Sequence, residues 1–285
     1  MTGERRPLAP GLYLVSTPIG SARDITLRAL DVLAAADVLA AEDTRSLRHL
    51  MDIHGIALAG RPLLAYHDHN APAVRPRLMA EIRAGRSVAY APEAGTPLIS
   101  DPGFGLVRAA IEEDLPLTAV PGPSAVMAAL AVAGLPTDRF LFAGFLPAAS
   151  QARRRALREL ADVPATLVFY ESPRRVGKML ADAVVTLGKE RQAAICRELT
   201  KRFEEVRRGR LGELAQELAP AELRGEVVVL IDRNRAGATE ADLEEALRDA
   251  LRRGSVKDAV AEVSARLGLP RRQVYQAALR MAERK

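Results

Sequence analysis

A single cysteine, Cys196, stands in 285 residues, so the chain can form no internal disulfide and its composition favours a reducing compartment. The N-terminal stretch has two arginines but no seven-residue apolar core of a secretory signal. The longest uninterrupted apolar run, Ala125 to Ala133, is far short of a membrane span. The expectation is a soluble, cytoplasmic protein. There is no GxxxxGK[ST] phosphate loop, no GxGxxG after the first strand and no GxSxG nucleophile elbow. One cysteine cannot build a zinc site. His67, Asp68 and His69 are adjacent, and neighbours on an extended chain point apart, so no metal is expected. Repeats, heptads and low-complexity tracts are absent too.

The chain does have enough apolar residues (48%) alongside its charge (27%) to form globular domains, and its length suits two of them with an appendage. The net charge of +5 is unevenly spread. Residues 1–147 carry 13 Lys and Arg against 15 Asp and Glu, and residues 148–285 carry 28 against 21. The excess clusters at Arg153-Arg154-Arg155, Arg174-Arg175, Arg207-Arg208-x-Arg210 and Arg271-Arg272. Such an asymmetry fits an acidic or nucleic-acid partner, and it fits equally an arginine-rich solvated face.

The stretch Tyr90–Gly105, YAPEAGTPLISDPGFG, packs three glycines and three prolines among Glu93, Thr96, Ser100 and Asp101. It joins a strand pattern (Ser87–Ala91) to a helical one (Leu106–Asp114). A stiff strand-to-helix loop with free N–H groups suits an anionic or nucleoside-like ligand at the edge of a parallel sheet. Residues 11–136 alternate strand and helix. Strands are expected at Leu12–Ser16, Val38–Ala41, Leu63–Tyr66, Ser87–Ala91 and Leu117–Val120, with Thr44 capping the helix that ends near His54. This predicts an α/β unit with a parallel sheet. Its strand ends Thr17–Gly20, Glu42–Arg45, His67–Asn70, Glu93–Asp101 and Pro121–Ser124 are expected to converge on one crevice.

Residues 137–233 read as a second, mixed α/β unit. Strands are expected at Phe140–Phe145, Ala165–Tyr170, Gln192–Arg197, Phe203–Arg207 and Glu226–Ile231. Ser172-Pro173 has the form of an N-cap and first helical residue. Residues 239–285 read as helical. Ser255–Leu267, the turn Gly268-Leu-Pro270 and Arg271–Met281 have helix-turn-helix spacing, which a plain docking hairpin would share.

Seven motifs occur in register: Thr17-Pro-Ile-Gly20 with Asp24-Ile-Thr26, Ala41-Glu-Asp-Thr-Arg45, Ala94-Gly-Thr-Pro-x-Ile-Ser-Asp-Pro-Gly103, Pro121-Gly-Pro-Ser-Ala125, Gly134-Leu-Pro-Thr-Asp-Arg-Phe140, Phe169-Tyr-Glu-Ser-Pro173 and Arg197-Glu-Leu-Thr-Lys201. Together they resemble the ribosomal RNA small subunit methyltransferase I family of the tetrapyrrole methylase superfamily. The resemblance spans about residues 11–232, and the tail matches a helical extension found in many members.

It implies two α/β domains of tetrapyrrole-methylase type with a cofactor cleft between them, and S-adenosylmethionine as cofactor. The implied reaction is 2′-O-methylation of a cytidine in 16S rRNA, by a homodimer. Cofactor contacts carry over to Pro18, Gly20, Glu93, Gly95, Thr96, Ser100, Asp101, Pro121, Gly122 and Ser124, and from the second domain to Tyr170, Leu199 and Thr200. One departure is visible. Where the family reads Val-Ser-Asp, this chain has Ala91-Pro92-Glu93, which lengthens the carboxylate side chain and removes a hydroxyl and an N–H.

Candidates for taking the hydroxyl proton are Glu42, Asp43 and His67, with His69 and Asp101 also at the sheet edge. The competing reading of Glu42-Asp43 is an N-cap with a salt bridge to Arg45. RNA contacts are expected from Arg153, Arg154, Arg155, Arg271 and Arg272. The competing functions are carbon methylation of a tetrapyrrole and a non-catalytic RNA-binding assembly factor.

Overall fold

The computed structural model describes residues 7–99, 103–219, 223–234 and 240–283. Five strands, β1 (Gly11–Val15), β2 (Val38–Ala41), β3 (Leu63–Ala65), β4 (Ser87–Ala91) and β5 (Leu117–Val120), form one sheet in the order β3-β2-β4-β1-β5. Every pairing in it is parallel. The connecting helices are α1 (Leu27–Ala35), α2 (Thr44–Ile53), α3 (Ala71–Arg83) and α4 (Phe104–Glu112). All five residues of β4 are buried, because helices cover both faces, and that is why the strand reads as a continuous apolar run. Ala89 and Ala91 face the layer holding α1 and α2, while Val88 and Tyr90 face the layer holding α3 and α4.

The strand order decides where a ligand can sit. The chain leaves β1 toward β2 on one side and leaves β4 toward β5 on the other. The loops following these two neighbouring strands therefore diverge, and a crevice opens between them.

The second sheet holds β6 (Phe140–Phe145), β7 (Thr166–Glu171), β8 (Gln192–Arg197), β9 (Glu205–Arg210) and β10 (Val227–Ile231) in the order β6-β7-β10-β8-β9. Only β6 and β7 run parallel; the other pairings are antiparallel. Its outer face is covered by α6 (Ser150–Glu159), α7 (Val176–Leu187) and α8 (Leu211–Leu218). The inner face is covered by α5 (Ala125–Ala133), the helix that follows β5 of the first sheet. Val126, Ala129, Leu130 and Ala133 sit at helical spacing against Val168, Ala194, Cys196, Val228 and Leu230. The small residues of α5 let its backbone approach the sheet closely, and this contact joins the two α/β units.

Residues 240–283 form α9 (Glu240–Leu251), α10 (Val256–Leu267) and α11 (Arg271–Glu283) around a small core of their own, centred on Leu247, Val263 and Val274. Ser255 caps α10 by accepting from the Asp258 amide, and Gly268 closes the helix in the left-handed region. The appendage is thus a three-helix unit, not a lone hairpin. No helix among the described residues is long and apolar enough to cross a membrane.

Three local expectations are corrected. Asp43, not Thr44, caps α2, because its carboxylate accepts the amides of Arg45 and Ser46. Ser172-Pro173 opens a turn, and α7 begins only at Val176: the Ser172 carbonyl accepts from both Arg175 and Val176. Phe203 lies in an exposed turn, and β9 starts at Glu205.

Candidate active site

A cleft of about 650 Å³ lies where the strand-end loops of the first sheet face the second sheet. Pro18 and Gly20 after β1, Glu42 after β2, Glu93 to Thr96 after β4, and Ser124 after β5 line one wall. Tyr170 to Pro173 at the end of β7, Lys201, and Gly225 to Val228 at the start of β10 line the other.

The first wall is fixed by its backbone. The amide of Thr17 donates to the carbonyl of Gly95, and the amide of Gly95 donates back. Gly95 reaches this position at φ +81, which an L side chain rarely adopts. Thr96 donates its hydroxyl to the Pro123 carbonyl at 2.9 Å, tying the β4 loop to the β5 loop. Glu42 accepts the Glu93 amide at 3.0 Å, so the first amide after Pro92 in the divergent Ala91-Pro92-Glu93 segment is held by the neighbouring strand end.

The two walls meet at Gly20. A Cβ there would stand 2.5 Å from Lys201 Cγ and 2.6 Å from Thr200 Oγ1, so only glycine allows this approach. Thr200 itself sits at φ +64, and its hydroxyl accepts the Ser21 amide at 3.0 Å. A strained threonine held by its partner loop shows that this junction is over-determined by its surroundings.

Most of the cofactor residues expected from the sequence come together here: Pro18, Gly20, Glu93, Gly95, Thr96, Ser124 and Tyr170. Leu199 is buried in the core shared by the two units, and Thr200 braces the first wall without lining the cleft. Pro121 and Gly122 also stand back from it. A Cβ on Gly122 would lie 2.8 Å from Ser16 Cβ, so this glycine serves loop packing. Ser100 and Asp101 lie outside the described residues.

The proton-acceptor candidates are sorted by the same geometry. Glu42 lines the cleft. Asp43 does not; it caps α2 and pairs with Arg45 at 2.8 Å. The Arg45 side chain and then its amide hold the Asp43 carboxyl down to about 2, which makes it a weak base. His67 follows β3, the outermost strand, and packs against His69 away from the cleft. Asp43 is drawn off by its capping and ion-pair contacts, and His67 by its place after the edge strand.

The arginine expectations divide likewise. Arg153 is buried: it pairs with Asp182 at 2.6 Å and donates to the carbonyls of Pro147 and Ala148. This buried cation ties α6 to α7 and to the loop before α6. Burial works to raise the Asp182 carboxyl, but hydrogen bonds from Arg154, Ser150 and Arg153 outweigh it and hold the group below its ordinary value. Arg154 shares Asp182, and Arg155 is exposed beside Glu159. Arg271 and Arg272 are exposed at the start of α11.

Sequence reading missed Glu171, Lys201, Phe145 and the start of β10 as cleft residues. Glu171 and Lys201 stand within motifs that carried the family resemblance, but nothing in their spacing distinguished them from their neighbours. The β10 segment reads as an ordinary apolar strand. With Glu42, Glu93, Glu171 and Glu226 against Lys201, which is itself paired with Glu198 and Glu226, the cleft is acidic. Such a site accepts a cation and hydrogen-bond donors.

The family profile of the tetrapyrrole (corrin/porphyrin) methylases matches residues 11–215, and that of the RsmI C-terminal HTH domain matches residues 237–282. A ribosomal RNA small subunit methyltransferase I from Mesorhizobium japonicum is 48% identical over 98% of this chain and 94% of its own. Another, from Mycobacterium tuberculosis, is 45% identical over 94% of each chain. Among solved structures, a uroporphyrin-III C-methyltransferase from Thermus thermophilus superposes with a TM-score of 0.53 at 25% identity, over 78% of this chain and 94% of that one. The chain belongs to the tetrapyrrole methylase family and, within it, to the ribosomal RNA small subunit methyltransferase I family.

Proposed function

We propose that this enzyme uses S-adenosylmethionine to methylate the ribose 2′-hydroxyl of a cytidine in 16S rRNA, the family target being cytidine 1402. The observation that carries the reading is the acidic, glycine-cradled cleft at the switch point between β1 and β4, closed by the second sheet. When bound, the cofactor supplies an electrophilic methyl group on a sulfonium. The open backbone beside Gly95 and the carboxylates of Glu42 and Glu93 fit such a cation and its amino-acid end. Ser124 and Thr96 offer hydroxyls on the same wall. Methyl transfer needs in-line approach, and positioning supplies much of the rate.

The division into domains at 11–136, 137–233 and 239–285 belongs to the same reading, with the three-helix tail holding RNA through phosphate contacts. So do a homodimer and a cytoplasmic location. A radiolabelled methyl-transfer assay comparing intact small subunits, free 16S rRNA and a tetrapyrrole mixture tests it. Label appearing in rRNA at one cytidine ribose is expected. Label only in the tetrapyrrole would replace this reading with carbon methylation.

A further inference from the structure

One carboxylate on the cleft wall is only half engaged. Glu171 ends β7 at 3% exposure. Its Oε1 accepts the Ser172 amide at 2.8 Å and lies 3.2 Å from Arg175 Nε. Arg175 is itself anchored on the Leu146 carbonyl at 2.5 Å. Glu171 Oε2 is buried and has no hydrogen-bond partner among the described residues. A buried carboxylate oxygen left unpaired is costly, and in native structures such atoms are usually completed by a water, an ion or a ligand. Oε1 holds the Ser172 amide, and Arg175 Nε, 3.2 Å from it, is likewise buried without a hydrogen-bond partner among the described residues.

The neighbours of Glu171 indicate what completes it. Phe145, also on the cleft, is 56% exposed, and its ring lies 5.7 Å from that of Tyr170. An exposed aromatic ring on a cleft wall is a stacking platform for an unpaired nucleobase. The opposite wall carries the glycine cradle that fits the cofactor. Phe145 and Glu171 line the same cleft, and Tyr170, the neighbour of Glu171 in the chain, packs against the Phe145 ring.

We propose that Glu171 Oε2 accepts the proton of the hydroxyl that is methylated. This rests on the reading above of a ribose hydroxyl as methyl acceptor. In the step, the oxygen–methyl bond forms as the sulfur–methyl bond breaks. The electron pair of the broken bond stays on sulfur, and the hydroxyl proton passes to Glu171 Oε2. Arg175 is a positioning residue that orients the carboxylate through its contact with Oε1. Glu42 is less suited to this part, because its carboxylate already holds the Glu93 amide.

The test compares the full-length wild type with Glu171→Gln and Glu171→Asp, using small subunits as acceptor. Single-turnover methyl transfer, calorimetric affinity for S-adenosylmethionine and melting temperature are measured for each. Glutamine keeps an acceptor for the Ser172 amide but cannot take the proton, so the transfer rate is expected to fall roughly a hundredfold or more. Cofactor affinity and melting temperature should stay close to wild type. Aspartate, retaining the carboxylate, should recover part of the rate.

A glutamine variant within roughly threefold of the wild-type rate overturns the proposal, because loss of a general base costs far more. So does a drop of roughly tenfold in its cofactor affinity, about 1.4 kcal/mol, which would assign Oε2 to the cofactor. If glutamine lowers the melting temperature sharply, aspartate decides: no recovery of rate in a folded aspartate variant also overturns it. Wild-type enzyme inactive on both rRNA substrates would instead refute the substrate reading.

Discussion

Thr17 and Gly95 exchange a pair of backbone hydrogen bonds, 2.9 Å from the Thr17 amide to the Gly95 carbonyl and 3.1 Å in return. This isolated antiparallel bridge joins the loops that leave β1 and β4, two parallel neighbours whose connections run in opposite directions. The loops would otherwise splay, and the bridge sets the floor of the cleft.

Gly95→Val should therefore stay folded while losing cofactor affinity. The added Cβ meets Ile19 Cγ2 at 3.4 Å and the Pro123 carbonyl at 3.9 Å, both ordinary contacts, so the damage comes from φ +81. Forcing a β-branched residue into that region costs about 1–3 kcal/mol and displaces the bridge. Calorimetry on the folded variant checks it, and near wild-type affinity would remove the Ala94–Thr96 segment from the site.

Gly20→Ala tests the seam between the walls. Its Cβ would press on Thr200, Lys201 and the Leu199 carbonyl, the last at 3.0 Å. Overpacking of this kind costs about 1–3 kcal/mol. Denaturant unfolding should show that loss, and cofactor affinity should fall with it because the walls part. Unchanged values for both would mean that the loops separate without consequence.

Asp182→Ala removes the partner of a buried arginine. Leaving the Arg153 charge uncompensated should cost about 3–5 kcal/mol in denaturant unfolding at neutral pH. The wild-type Asp182 carboxyl titrates below its ordinary value. Its contribution is therefore present above the unfolded pKa of about 3.9 and is lost as pH falls through the lower folded value. The stability gap between wild type and variant should narrow on acidification. A gap that widens would show the linkage to be reversed.

Arg271→Ala with Arg272→Ala should leave cofactor affinity unchanged and weaken RNA binding. If both side chains touch phosphate, the slope of log K against log salt should decrease in magnitude by roughly one to two units. RNA binding measured across a salt series decides this, and an identical slope would make the three-helix tail a structural cap.

The alternation of elements, the positions of nearly all strands and the loops that hold the first wall of the cleft are legible in the sequence. These follow from local rules. A parallel sheet covered on both faces needs apolar runs, as in Ser87–Ala91 and Val38–Ala41. Chain reversals beside a ligand need glycine and proline, as in Pro92–Thr96. Tertiary structure decided whatever depends on distant partners. The Arg153-Arg154-Arg155 run looks uniform in sequence, yet Arg153 is buried because α7 brings Asp182 against it, while Arg155 faces solvent. Asp43 and Glu42 are adjacent, yet one turns back to cap its own helix and the other reaches across to the β4 loop. Glu171 shares a motif with Tyr170, but only the meeting of two sheets makes one of its oxygens both buried and unpaired. Burial and charge pairing are sums over neighbours far apart in the chain, and no local pattern encodes them.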